Sequence, residues 1–285
     1  MPIEPPVVSP TDLAGAYEAL AGGARPIAGG TDLMVALTGE LGEPPERIVD
    51  LWAIDALRGI SLDRGTIDLG ALTTYTDIRR SSVCAEHLPT LVQAAATIGA
   101  AQIQNRGTLG GNVVNASPAG DTLPVLLAAD ATFVLGSARG QREVAASDFW
   151  TGYRATALAP DELLLRIRIP AAPGREMRFR KIGTRRAQSI SKVVMALAWR
   201  PENGSDGPWT GVRLALGSVA ATPVRASATE MALEDSTPTP ETADLAAETL
   251  AGELAPIDDV RSTAEYRRVV AARVLHRLIR EAGGW

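Results

Sequence analysis

Three short apolar runs in the last third of the chain have the length of β-strands. They cover residues 177–182, 193–199 and 212–216. Runs of this kind, bounded by turn residues such as those of 201–208, favour an antiparallel sheet. Pro240 after a threonine suits the first position of a helix, and Ser262 can cap another. Residues 176–285 are therefore predicted to form a domain with a three-stranded antiparallel sheet and helices.

The beginning of the chain alternates between helical and strand patterns. Capping residues precede each predicted helix, Asp12 the first and Thr31 with Asp32 the second. The predicted elements are a helix over 13–20, a strand over 25–28, a helix from 31 to about 38 and a strand over 47–51. Residues 1–57 are therefore expected to form a small α/β unit.

The pattern changes at about residue 59 and becomes that of a mixed α+β unit. The predicted elements are strands at 67–70, 131–135, 143–145 and 163–169, and helical segments at 76–81, 88–100 and 121–129. A turn-rich glycine loop is expected at 105–112. The run from Pro170 to Gly174 is typical of a linker, so this unit is expected to span residues 58–170.

Composition excludes several classes of function. The 285 residues carry a formal charge of −5, which argues against nucleic acid as a partner. Cys84 is the only cysteine and the two histidines are His87 and His276, so the chain cannot supply an iron–sulfur ligand set or a zinc finger. No run approaches the ~18 apolar residues of a membrane span, and no signal peptide is recognisable. A cytoplasmic protein without a metal site is expected.

Two glycine loops carry the candidate chemistry. Residues 28–33 read Ala-Gly-Gly-Thr-Asp-Leu, and residues 107–112 read Gly-Thr-Leu-Gly-Gly-Asn. Glycines at the start of a helix let backbone N–H groups close on an anion, although a glycine pair of this kind, taken alone, is usually only a turn. Neither a G-x-G-x-x-G fingerprint nor a Walker A motif occurs. A pyrophosphate held between two loops of another nucleotide-binding fold is the hypothesis that follows.

The loops and their surroundings resemble the FAD domain of the molybdenum hydroxylases of the xanthine dehydrogenase and carbon monoxide dehydrogenase type. The resemblance is carried by residues 26–33 and 105–121, and it extends through 149–154, 162–164, 181–186 and 265–268. It implies an α+β chain in which a two-subdomain FAD-binding domain of the PCMH/vanillyl-alcohol-oxidase-like type precedes the C-terminal domain.

The same resemblance implies which residues contact FAD. The implied set is Ile27, Ala28, Gly29, Gly30, Thr31, Asp32, Leu33, Gly107, Thr108, Gly110, Gly111, Asn112, Asn115, Ser117, Asp121, Tyr153, Leu164 and Lys181. Within it, Tyr153 and Lys181 are expected near the isoalloxazine ring. Asp121 is expected at FAD hydroxyls, and it is equally suited to cap the following helix. Arg185, Arg186 and the arginines of the last helix face solvent, a nucleotide or a partner, with the solvated face the simplest interpretation for the last helix.

The implied function is electron transfer within a larger enzyme. Family members pass electrons from two [2Fe–2S] clusters of a small subunit through FAD to an acceptor such as NAD or a quinone, while a large molybdopterin subunit oxidises the substrate. A dimer of heterotrimers is the implied assembly. No catalytic residue is assigned to this chain.

Two other functions remain open at the level of sequence. One is a free-standing FAD-dependent reductase of the UDP-N-acetylenolpyruvoylglucosamine reductase type, which has a related flavin fold. The other is an interaction subunit that has lost its flavin. Intact glycines together with Thr31, Thr108 and Asn112 favour a chain that still binds FAD.

Overall fold

The computed structural model describes residues 5–39, 41–185, 188–202, 204 and 207–285. It combines helices with three main sheets and one short hairpin. The mixed α+β class predicted from the pattern is confirmed. Within the described ranges, no helix is long and apolar enough to cross a membrane.

The N-terminal unit is a three-stranded parallel sheet with two helices. Its strands are β1 (Val7–Val8), β2 (Arg25–Ile27) and β3 (Ile48–Asp50), in the order β1-β3-β2, and its helices are α1 (Leu13–Ala21) and α2 (Leu33–Thr38). Asp12 caps α1, because its carboxylate accepts a hydrogen bond of 2.8 Å from the Gly15 amide. The connection from β2 to α2 is the first glycine loop, which therefore lies at the carboxyl end of a parallel strand.

The second unit is a five-stranded antiparallel sheet covered by short helices. Its strands are β4 (Ile60–Asp63), β5 (Thr66–Gly70), β6 (Thr132–Ser137), β7 (Gly140–Ala145) and, further along the chain, β10 (Leu163–Pro170), in the order β4-β5-β10-β6-β7. A hairpin of β8 (Trp150–Gly152) and β9 (Ala155–Thr156) precedes β10. The helices are α3 (Tyr75–Arg80), α4 (Ser82–His87), α5 (Pro89–Ala96), α6 (Ala101–Arg106), α7 (Leu109–Asn115), α8 (Leu123–Ala128) and α9 (Ala146–Phe149).

Two predictions in this unit are wrong. The helix expected over 88–100 ends at Ala96, because Gly99 adopts a left-handed conformation with φ +53° and separates α5 from α6. The turn-rich loop expected at 105–112 is largely helical, since α6 ends at Arg106 and α7 begins at Leu109. Only two residues lie between these helices.

The last strand of the second sheet joins the first two units. Leu163 and Leu165 of β10 belong to the apolar core of the N-terminal unit, whereas Leu164 and Ile167 belong to the core of the second unit. Alternate residues of a strand point to opposite faces of its sheet, and the irregular register between Leu164 and Arg166 shifts this alternation, so that Ile167 joins the face of Leu164. The two units thus pack on either side of β10.

The C-terminal unit is an antiparallel sheet with helices on one face. Its elements are β11 (Glu176–Ile182), β12 (Val193–Pro201), β13 (Trp209–Gly217), β14 (Val224–Arg225), α10 (Ser227–Leu233), α11 (Pro240–Glu253) and α12 (Ala264–Gly283). The three predicted strands are present, and the two-residue β14 adds a fourth along β13. Pro240 stands at the start of α11 as predicted, whereas the cap of α12 is Thr263 and not Ser262.

Alternation along β12 explains how this sheet is buried on both faces. Val194 and Ala196 pack into the core of the second unit, while Val193, Met195 and Leu197 pack against the three C-terminal helices.

One arginine of α12 does not lie on the solvent-exposed face that was expected for the arginines of this helix. Arg267 is buried and forms an ion pair of 2.7 Å with Asp259.

Candidate functional site

A cleft of about 500 Å³ lies between the N-terminal and second units. Four segments supply most of its lining, namely 24–33 with β2 and the first glycine loop, 71–75, the second loop with α7, and 154–164 before and within β10. Leu20, Leu51 and Leu57 complete it. The predicted site residues that line it are Ile27, Ala28, Gly29, Gly30, Thr31, Asp32, Leu33, Thr108, Gly110, Gly111, Asn112, Asn115 and Leu164. Gly107, Ser117, Asp121, Tyr153 and Lys181 lie outside its lining.

The first glycine loop offers a run of free backbone donors. Gly30 has φ +77°, a conformation that glycine adopts without strain. None of the amide groups of residues 29–33 donates a hydrogen bond to an acceptor in the described part of the chain. Successive unpartnered amides that line a cleft form a binding site for an anion such as a phosphate.

The second glycine loop packs directly against the first. A Cβ atom on Gly29 would lie 1.8 Å from the carbonyl oxygen of Arg106, and one on Gly110 would lie 2.6 Å from the carbonyl oxygen of Ala71. Neither position can accept a side chain without a shift of backbone. These two glycines are therefore required by the packing of the protein itself.

The amides of the second loop are already hydrogen-bonded within the protein. Those of residues 109–112 donate to Thr73, Ala71 and Thr108 over distances of 2.9–3.1 Å. The Thr108 hydroxyl caps α7 by accepting from the Gly111 amide at 3.0 Å. The expectation that both loops present free amides therefore holds only for the first loop. The second loop forms a closely packed wall of the cleft, and Gly111 adds no side chain to this wall.

Asn115 connects three segments at the cleft. Its side-chain amide donates to the Asp32 carboxylate at 3.0 Å, and its side-chain oxygen accepts from the Arg154 guanidinium at 2.9 Å. Tyr153, the neighbour of Arg154 in the hairpin turn, is 68% exposed. Ser117 accepts from the Ala119 amide at 3.3 Å and stabilises the turn before α8.

Asp121 and Lys181 form a buried ion pair between the second and C-terminal units. The Lys181 Nζ atom lies 2.5 Å from Oδ2 of Asp121 and donates to the Thr97 carbonyl at 3.2 Å. Both side chains are less than a tenth exposed. The helix-capping interpretation of Asp121 is wrong, because Thr122 occupies the cap position of α8 and the Asp121 side chain points to Lys181 instead.

One oxygen of this pair lacks a partner. Oδ1 of Asp121 is buried and accepts no hydrogen bond from any described residue. Burial raises the pKa of Asp121 to about 6, although the positive charge of Lys181 acts in the opposite direction. An orphaned carboxylate oxygen of this kind can accept a hydrogen bond from a ligand.

Several cleft residues were not found by sequence reasoning. Tyr75, Arg25 and Glu162 line the cleft together with Arg154. A capping box between Thr74 and Asp77 starts the helix that carries Tyr75, but this local signal does not show what the ring faces. Arg185 is exposed and donates to the Gln188 carbonyl at 2.7 Å, whereas Arg186 lies outside the described residues.

Two family models together match almost the whole chain. The first, described as the FAD binding domain in molybdopterin dehydrogenase, matches residues 2–172. The second, described as the CO dehydrogenase flavoprotein C-terminal domain, matches residues 178–282.

Relatives and solved structures of the same kind are similar over nearly their full length. The xanthine dehydrogenase FAD-binding subunit of Escherichia coli O157:H7 is 31% identical, with 92% of this chain and 90% of the relative covered. The carbon monoxide dehydrogenase medium chain of Hydrogenophaga pseudoflava is 30% identical, with 91% and 89% covered. A chain of the reconstituted CO dehydrogenase from Oligotropha carboxidovorans superposes with a TM-score of 0.93 at 30% identity, with 100% of this chain and 99% of that chain covered.

The residues of the cleft fit FAD. Free amides in the first loop suit a pyrophosphate, and the apolar side chains of Leu20, Leu51 and Leu57 suit a ring system at another part of the cleft. Geometry and similarity therefore agree: the chain belongs to the FAD-binding medium subunits of the molybdenum hydroxylases, a family of oxidoreductases, and its cofactor is FAD.

Proposed function

We propose that this chain transfers electrons within a molybdenum hydroxylase, receiving them from [2Fe–2S] clusters of a small subunit and delivering them to an acceptor such as NAD or a quinone. A bound flavin can accept electrons singly and release them as a pair, which is the chemistry such a relay requires. The observation that carries the proposal is the cleft, in which the free amides of residues 29–33 face the second glycine loop.

The composition of the chain supports this division of labour. One cysteine, which is buried, and two histidines cannot ligate a [2Fe–2S] cluster, which is usually held by four cysteines or by two cysteines and two histidines. The proposal therefore assigns the clusters to a small subunit and the molybdopterin centre to a large subunit, with two copies of each chain in the assembly.

We assign the pyrophosphate and ribityl chain of FAD to residues 27–33, opposite Thr108, Gly111 and Asn112. Asn115 holds Asp32 and Arg154 in place, so its own contribution to binding includes positioning of the first loop. Leu164, which is buried and lines the cleft, packs against the cofactor. Gly107 and Ser117 support the loop from outside the lining.

We propose that the flavin ring extends beyond the lining of the cleft toward Asp121, Lys181 and Tyr153, which lie outside that lining. Lys181 brings a cation to the ring, and Asp121 neutralises this charge whenever it is ionised. Because burial raises the pKa of Asp121 to about 6, the pair carries a net positive charge below that pH and none above it. A net positive charge favours the electron-rich reduced flavin, so acid conditions should raise its reduction potential.

Purification of the tagged full-length chain from cells that contain its natural partners tests the proposal. The expected result is a complex that contains FAD, iron and molybdenum, with one chain that carries [2Fe–2S] clusters and another that carries molybdopterin. Reduction of this complex with dithionite, followed by addition of NAD⁺ or ubiquinone, identifies the acceptor by reoxidation of the flavin. A chain that purifies alone with FAD and oxidises NADPH in the presence of an enolpyruvyl sugar would contradict the proposal.

A further inference from the structure

Tyr75 is a buried residue that lines the cleft. It lies at the first position of α3, where its amide donates to the Gly107 carbonyl at 3.2 Å. Its ring edge lies so close to Gly107 that a Cβ atom there would be 2.8 Å from Cε2 of the ring. Both the backbone and the ring of Tyr75 are thus fixed by the second glycine loop.

The hydroxyl group of Tyr75 has no hydrogen-bond partner among the described residues. The residue is only 4% exposed and lines the cleft, yet its hydroxyl hydrogen-bonds to none of the described residues. The hydroxyl oxygen is not fully buried, so it borders the open space of the cleft, and tyrosine hydroxyl groups usually hydrogen-bond to a nearby group. A group of the bound ligand can supply the missing bond.

The surroundings of Tyr75 keep its hydroxyl a hydrogen-bond donor. Burial raises the pKa of the phenol well above its usual value, and the negative charges of Asp32 and Asp121 act in the same direction. The group is therefore neutral at physiological pH and carries a proton that it can donate to an anion.

The position of Tyr75 selects the part of FAD that it meets. Gly107, against which the ring packs, is also a neighbour of Gly29, because a Cβ atom on Gly29 would lie 3.1 Å from the Gly107 nitrogen. Tyr75 therefore lies next to the first loop, whose five free amides form the anion site. We propose that the Tyr75 hydroxyl donates a hydrogen bond to the pyrophosphate of FAD and is a further cofactor-binding residue, an inference that rests on FAD binding in this cleft.

Replacement of Tyr75 by phenylalanine removes only the hydroxyl and keeps the ring that packs on Gly107. In the full-length FAD-free chain, Tyr75→Phe should raise the Kd for FAD by about ten- to a hundredfold, the range expected for a hydrogen bond to a charged group. Tyr17→Phe is the matched control, because Tyr17 packs on the N-terminal core outside the cleft lining. The Kd of Tyr17→Phe for FAD should equal that of the wild type.

A second measurement locates the bond within the cofactor. The ³¹P resonances of bound FAD should shift between wild type and Tyr75→Phe, while the visible absorption of the flavin ring stays the same. An unchanged Kd would overturn the inference, and so would a raised Kd with unchanged ³¹P resonances. Failure of the wild-type chain to bind FAD would instead refute cofactor binding itself, so the two failures are distinguishable.

Discussion

The glycines of the two loops serve different purposes, which only the three-dimensional contacts reveal. A Cβ atom on Gly29 or Gly110 would collide with backbone of a neighbouring segment. A Cβ atom on Gly111 would meet only the Thr108 hydroxyl, at 2.8 Å. Gly111 therefore keeps the wall of the cleft flat, whereas the other two allow the protein segments to pack.

Gly111→Val should weaken FAD binding without unfolding the chain. The branched side chain enters the cleft where the cofactor lies, so we expect at least a tenfold rise in the Kd for FAD, measured by flavin fluorescence. Gly252→Val is the control, since Gly252 is exposed in α11 with nothing within 4 Å of its Cβ position. Normal flavin content in Gly111→Val would refute the placement of FAD against this residue.

Asp121 should give the FAD-free chain a specific dependence of stability on pH. Its pKa is raised from 3.8 to about 6 in the folded state, so its contribution to stability is complete below about pH 4 and is lost as the pH rises through about 6. The asparagine in Asp121→Asn cannot ionise, so this variant does not lose stability in this way as the pH rises. Urea unfolding between pH 4 and pH 7 should show that the free energy of unfolding of the wild type decreases relative to that of Asp121→Asn.

Parallel pH profiles for the wild type and Asp121→Asn would contradict this assignment. The comparison depends on the difference between the two profiles, because the other carboxylates titrate in both proteins. Asparagine resembles the protonated Asp121 in having no charge, so any constant difference in stability between the two proteins leaves the slope unchanged.

At the level of elements, the second glycine loop is a capped helix and not an open turn. Thr108 accepts from the Gly111 amide at 3.0 Å and holds the start of α7 against the cleft. A backbone bridge from Thr108 to Thr74 ties this start to the beginning of α3. The Thr108 hydroxyl is therefore one of several contacts that hold the wall in its orientation.

Thr108→Ala should lower the free energy of unfolding by about 1 kcal/mol and also weaken FAD binding. Thr263→Ala is the matched control, because Thr263 caps α12 through the Tyr266 amide at 3.2 Å, outside the lining of the cleft. Chemical denaturation and FAD titration should show similar losses of stability for both variants and a loss of affinity for Thr108→Ala only. Equal affinities in the two variants would exclude a role of this cap in binding.

The sequence predicted elements well where local signals were strong. The apolar runs of β11, β12 and β13 and the proline that starts α11 were all recognisable. The division between α5 and α6 was missed, although Gly99 is a local signal for the end of a helix, since glycine readily adopts the left-handed conformation found there. The role of Tyr75 was hidden, since its ring packs on Gly107, thirty-two residues away.

At the scale of the whole molecule, the site is assembled from segments that are distant in the sequence. The cleft wall combines β2, α7 and β10, and the Asp121–Lys181 pair, outside this lining, joins the second unit to the C-terminal sheet. Residues 26–33 and 105–121 could be assigned to one site through their resemblance to a family, whereas no role at the site was predicted for Arg25, Arg154 or Glu162. Long-range packing, which local patterns do not encode, brings these side chains to the cleft.

The central claim is that this cleft holds FAD, and the flavin content of the full-length chain tests it most directly. The purified chain is incubated with excess FAD, passed through a gel-filtration column and analysed by visible absorption after denaturation. We predict one FAD per chain, lost in Gly111→Val and retained in Gly252→Val. A folded wild-type chain that leaves the column without flavin would contradict the account.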